Sequence, residues 1–192
     1  MRIRLPHEVS ASIVAGATVL LTVSPLDMPT WAIFISWAGT FLLGGPSKAN
    51  AVKLITATTA GAGFGVAAVL LNRATGTMFG STTPARTAAL ALLIFVINGT
   101  LLATGRIRAF SLIPGMFFGF ASLFGTYLGG FGFHRGNLAA AFVSSATMSA
   151  LGPLCAFLGL KLMFTPAVPQ QREPQPDSES ALPSVTAAPV KA

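Results

Sequence analysis

An all-α, multi-pass membrane protein is the fold class this sequence predicts, and three observations predict it. Hydrophobic residues make up 53% of the 192 residues and charged residues only 9%. A water-soluble domain carries about 25% charged residues, so too few polar side chains are present to cover the apolar ones in water. Apolar stretches of near-spanning length follow one another, separated by short segments rich in glycine, proline and cations. The cations fall unevenly on alternate segments, as they do in loops that flank membrane spans.

A spanning helix needs about 20 predominantly apolar residues, or about 17 where the bilayer yields. Six stretches qualify as candidate spans, the shortest at about 15 residues. The first runs from about Val9 to Val23 and ends at Ser24-Pro25-Leu26-Asp27, where Pro25 and Pro29 forbid an uninterrupted helix. Arg2 and Arg4 precede it as in a secretory leader, but Val23-Ser24-Pro25-Leu26-Asp27 is a poor cleavage site, so the segment is expected to be a retained span. The second is short, about Pro29 to Leu43, and stops at Gly44-Gly45-Pro46. The third covers about Val52 to Leu71, the fourth about Thr87 to Thr104, the fifth about Ser111 to Leu128 and the sixth about Leu138 to Met163. Ser111 is a candidate cap for the fifth, and Pro114 lies early enough for a first helical turn.

Orientation follows from the positive charge. With the N-terminus in the cytoplasm, the inner segments hold Arg2, Arg4, Lys48, Lys53, Arg106, Arg108, Lys161, Arg172 and Lys191, and the outer ones only Arg73, Arg86 and Arg135. Both termini are therefore expected in the cytoplasm. The net charge of +7 does not point to nucleic acid, because the cations sit singly or in pairs between apolar runs. A single cysteine, Cys155, excludes an intrachain disulfide. Residues 1–163 thus read as a six-span transmembrane domain and 164–192 as a disordered, Pro-rich cytoplasmic tail without apolar residues enough for a core.

The second and fifth spans echo each other. Ile33 to Phe41 laid over Met116 to Phe124 pairs Phe34 with Phe117, Trp37 with Phe120, Ala38 with Ala121 and Phe41 with Phe124 in one register. Two units of three spans follow from this, and an odd unit repeated inserts upside down the second time. The expectation is a 3+3 inverted repeat with its site where the units meet. Gly115 and Gly119 form a Gly-x-x-x-Gly face, as do Gly61 and Gly65, and such faces let helices approach within one chain or between copies.

Between Val9 and Lys161 the only carboxylate is Asp27, in a short outer turn, and no span carries an ionisable residue in its middle. Coupled transporters usually retain such groups. His7 and His134 have no Cys or acid at ligand spacing, and no nucleophile stands beside a base, so neither a metal, a cofactor nor an enzymatic activity is expected. The polarity left inside the spans is neutral. Asn98 is the costliest such group, read either as lining a path or as clamping two helices. Ser36, Thr40, Ser122, Ser144, Ser145, Thr147 and Ser149 decorate the same seam or bond carbonyls of their own helices.

The run Trp31-Ala32-Ile33-Phe34-Ile35-Ser36-Trp37-Ala38-Gly39, followed by Phe110-Ser111-Leu112-Ile113-Pro114-Gly115-Met116-Phe117-Phe118-Gly119, resembles the YcdZ-like bacterial inner-membrane proteins, domain-of-unknown-function family 1097. The resemblance covers roughly residues 10 to 160, and the tail and the Gly-rich loop from Gly129 to Gly136 fall outside it. It implies a polytopic inner-membrane protein and brings no substrate or catalytic residue. Two functions stay open. One is a passive channel or simple carrier for a small neutral solute, with Ser36, Trp37, Gly39, Asn98, Pro114, Gly115, Phe117 and Gly119 as the candidate path or helix interface. The other is a membrane scaffold or partner subunit acting through helix contacts and its tail. The partners expected are the lipid bilayer, a small solute, and a second copy through the Gly-x-x-x-Gly faces, with no nucleic acid.

Overall fold

Proline and glycine set the helix ends. The computed structural model describes residues 5–23, 25–75 and 82–163. Among them run α1 (His7–Val23), α2 (Thr30–Leu42), α3 (Lys48–Thr75), α4 (Thr83–Thr104), α5 (Ile113–Leu128) and α6 (Leu138–Leu162), with a 3-10 turn at Arg108–Phe110. The tail expected over 164–192 and the cations Arg2 and Arg4 lie outside the described residues. Gly44 and Gly45 take φ of 89° and 100°, a region that a side chain resists, and so turn the chain back after α2. The Asn50 amide donates to the carbonyls of Leu43 and Gly45 at 2.9 and 2.8 Å and ties that turn to α3. Pro114 falls in the first turn of α5, where its missing N–H costs nothing. Ser111 does not cap this helix. The 3-10 turn ends just before it, so Leu112 stands at the cap position with no side-chain bond. Asn137 caps α6, its Oδ1 accepting the Ala140 N–H at 3.1 Å.

Three helices, α3, α4 and α6, are long and apolar enough to cross a membrane; α1, α2 and α5 are shorter apolar helices of 17, 13 and 16 residues. At 1.5 Å per residue α2 is about 20 Å long, against a hydrocarbon core of about 30 Å. The helices alternate between two ends of the bundle. At one end Leu5 pairs with Met163 and Gly105 meets Ile113. At the other, Arg135 pairs with Asp27 at 2.7 Å, the Gly132 N–H donates to the Asp27 carbonyl, and Arg73 donates to the Tyr127 hydroxyl. Lys48, Lys53, Arg106, Arg108 and Lys161 thereby gather at the first end, and Arg73, Arg86 and Arg135 at the second.

The two most extensive helix contacts are α3 with α5 and α2 with α6; α4 packs chiefly on α3, and α1 chiefly on α6. Glycine makes the first two possible. A Cβ on Gly61 would fall on the Met116 carbonyl, and one on Gly119 would fall on the Thr58 carbonyl, so the backbones of α3 and α5 touch. On the other side, a Cβ on Gly152 would lie 2.6 Å from both the Ser36 Cβ and the Trp37 amide nitrogen. Both Gly-x-x-x-Gly faces are used up here, Gly61 and Gly65 against Met116 and Leu123, Gly115 and Gly119 against Ala57 and Thr58. Of the three long helices α4 is the most sparsely covered: 11% of its most apolar stretch is buried, against 44% for α3 and 50% for α6.

The short helices α2 and α5 bury the same face. From Ala32 to Thr40 the succession of buried, half-buried and exposed positions is the same, position for position, as from Gly115 to Leu123.

Replacing Gly119 by Ala is expected to lower the thermal midpoint in detergent sharply, by the equivalent of about 3 kcal/mol, because the new methyl meets backbone instead of a flexible side chain. Gly99→Ala, in open space on α4, is expected to leave the midpoint unchanged or raise it, since alanine is the better helix former by about 1 kcal/mol. Equal midpoints for the two variants in a thermal-shift measurement would refute the backbone contact.

Candidate functional site

A polar side chain buried in a helix bundle normally satisfies itself on the carbonyl one turn back, and most hydroxyls here do so. Thr40 donates to the Ser36 carbonyl at 3.0 Å, Thr126 to the Ser122 carbonyl at 2.7 Å, and Ser145 to the Phe142 carbonyl at 3.1 Å. Four buried polar atoms do not: Trp31 Nε1, Ser36 Oγ, Ser122 Oγ and Ser144 Oγ have no partner among the described residues. Ser36, Ser122 and Ser144 are at most 1% exposed. They belong to α2, α5 and α6, the helices at the centre of the packing.

Three of the four, Ser36, Ser144 and Trp31, are placed by a close approach to a glycine. Ser36 lies against Gly152 of α6, and Ser144 lies beside Gly132, whose φ of 99° folds the loop before α6 back over it. The Trp31 indole nitrogen is 3.2 Å from the position a Cβ on Gly125 would take, which joins the start of α2 to the end of α5. Its ring packs edge-on against Phe131 at 4.4 Å between centroids. Gly125 and Gly132 are small because an indole and a hydroxyl stand against them.

The sequence-predicted residues divide. Ser36, Gly39, Gly115 and Gly119 are buried in the helix seams, and Trp37 is half-buried at the α2–α6 contact beside Gly152 and Gly159. Gly119 stands in a close-packed seam, its α-carbon against the Thr58 backbone. Phe117 and Pro114 face outward on α5, and Phe117 is as exposed as its counterpart Phe34, 39% each. Asn98 is half-buried on α4, away from the α2–α6 seam, and makes no hydrogen bond among the described residues, so the expected interhelical clamp is not formed.

Sequence reasoning passed over Trp31 and the pair Gly152-Pro153. Pro153 is buried inside α6. Having no N–H, it leaves the Ser149 carbonyl without its helical donor, one turn from the Gly152 contact with Ser36. Gly-Pro in the middle of an apolar run was the available signal, since irregular backbone at membrane depth is kept only inside protein or along a cavity. Among the described residues no group of three His, Cys, Asp or Glu side chains is placed to hold a metal.

No curated protein and no solved structure matches the chain. One family does, over residues 8–170, which takes in all six helices and their contacts. The chain therefore belongs to the family described as Protein of unknown function (DUF1097).

Proposed function

We propose that this protein is an integral membrane carrier for a small neutral solute, with its site between two three-helix units, α1–α3 and α4–α6. The observation that carries the reading is the set of buried polar atoms without partners, Trp31 Nε1 and the hydroxyls of Ser36, Ser122 and Ser144. An unpaired buried hydroxyl costs about 1–3 kcal/mol. Hydroxyls that decline the carbonyls of their own helices, gathered on three central helices, suit a guest that hydrogen-bonds and leaves. The guest is uncharged in this reading, because the nearest ion pair, Asp27 with Arg135, lies at one end of the bundle.

The helix contacts support the two-unit architecture. Exchanging α1 with α4, α2 with α5 and α3 with α6 turns the contact of α2 on α6 into that of α5 on α3, and α1 on α6 into α4 on α3. The shared burial register of α2 and α5 obeys the same exchange. An odd number of helices in each unit makes this an inverted pair, whose sites lie where the units meet. The closed seam at Gly119 favours a carrier that rocks between states over an open pore. In this proposal all six helices sit in a bacterial cytoplasmic membrane with both termini inside, and no catalytic step is involved.

A second reading, a scaffold or partner subunit, is favoured by α4, whose exposed Leu92, Phe95 and Val96 offer a continuous apolar face for a neighbouring protein.

In proteoliposomes followed by light scattering, the protein is expected to accelerate permeation of at least one small hydroxyl- or amide-bearing neutral solute. Joint substitution Ser36→Ala and Ser122→Ala is expected to cut that rate at least tenfold, at about tenfold for each 1.4 kcal/mol of lost bonding. It is also expected to leave the thermal midpoint unchanged or higher. No acceleration by folded protein would end the carrier reading and leave the scaffold one.

A further inference from the structure

We infer that the cation-rich end of the bundle holds a binding site for the phosphate of an anionic phospholipid headgroup. At that end a cavity of about 680 Å³ opens between the first two turns of α3 and the 3-10 turn before α5. Lys48 and Lys53 come from α3 and Arg108 from the 3-10 turn, with the hydroxyls of Thr56 and Ser111 and the apolar Ala49, Val52 and Ala109 completing the wall. These cations come from segments about sixty positions apart in the sequence and are brought to one cavity by the packing of α3 against the 3-10 turn.

Nothing in the described chain neutralises them. Its only carboxylates are Glu8 and Asp27, and Asp27 is paired with Arg135 at the opposite end. No ion pair involves Lys48, Lys53 or Arg108 among the described residues, and the hydroxyls of Thr56 and Ser111 likewise have no hydrogen-bond partner there. Three uncompensated cations and two free hydroxyls around one cavity match a phosphate, which accepts several charge-assisted bonds at once, with Arg108 able to offer two parallel donors.

The surroundings favour a lipid as the carrier of that phosphate. Val52 and Ile107 are 65% and 54% exposed beside the cations, an apolar shoulder that a soluble anion has no use for and that the first carbons of an acyl chain would cover. The start of α3 is also the start of a helix of spanning length, which puts the cavity at headgroup depth. Basic pockets between membrane helices take anionic headgroups in this way, each cation contributing about fivefold in affinity. The site is separate from the buried hydroxyls of the proposed carrier and does not depend on transport.

The test is native mass spectrometry of the full-length protein, delipidated in an uncharged detergent, titrated with phosphatidylglycerol, phosphatidylcholine or inorganic phosphate. Phosphatidylglycerol is expected to bind at least tenfold more tightly than phosphatidylcholine. Lys48→Gln, Lys53→Gln and Arg108→Gln together are expected to weaken it at least fiftyfold, and Arg108→Gln alone about fivefold. Arg135→Gln, which removes a cation from the other end, is expected to change nothing. All four positions are exposed, and the thermal midpoint of each variant, expected to be unaltered, checks folding. Inorganic phosphate competing at equal affinity, with the same loss in the triple variant, would overturn the lipid assignment in favour of free phosphate. Equal binding of the two lipids, or full binding by the single Arg108→Gln variant and the folded triple variant, would overturn the site itself.

Discussion

The contact on which the rest of the structure depends is the touching of two backbones, α3 and α5, at Gly61 and Gly119. Lipid offers helices no hydrophobic reward for meeting, because its chains are as apolar as leucine. What remains is close packing, and the packing is closest where no side chain stands between two helices. Gly61 rests on the Met116 carbonyl and Gly119 on the Thr58 carbonyl, and the small Ala57 stands against Gly115. The second seam, α2 on α6, is built in the same manner around Gly152 and Ser36. With both seams closed by glycine, α1 and α4 are added to α6 and α3 on the outside.

Polar groups are distributed by the same constraint. A threonine or serine facing a helix of its own can disappear by bonding a carbonyl one turn back, and Thr40, Thr100, Thr104 and Thr126 do so. Ser36 and Ser144, one against a glycine of α6 and the other against a glycine of the loop before α6, form no such bond. Ser36 lies under Gly152, and Ser144 under Gly132. Close packing and unpaired hydroxyls thus occur together along the seams lined by small residues.

Charge is confined to the ends, and the ends differ. One is stitched together by Asp27, whose φ of 47° turns its carbonyl to Gly132 and whose carboxylate meets Arg135. The pair is largely exposed on the Arg135 side and holds the loop more by geometry than by energy, since such surface pairs contribute at most about 1 kcal/mol. The other end carries more cations and, apart from Glu8, no carboxylate among the described residues. The bundle is thus asymmetric in charge between its two ends.

The amino-acid sequence alone determined that this chain forms apolar helices, where those helices break, and which two of them resemble each other in sequence. Composition leaves too few charged residues for an ordinary water-soluble domain, Gly44-Gly45 and Pro114 punctuate locally, and Ile33–Phe41 echoes Met116–Phe124 in one register. These are local or periodic properties, legible along one chain. Only the tertiary structure decided how long each helix is relative to a membrane, that the Gly-x-x-x-Gly faces meet each other within the chain, that Asn98 stands apart from the central seam, and that Lys48, Lys53 and Arg108 share a cavity. It also decided which serines are left without a partner. A hydroxyl has a choice between its own helix and a neighbour, and a glycine between any two surfaces small enough to receive it, so in both cases the outcome is set by the helix that arrives against it and not by the residues beside it in sequence.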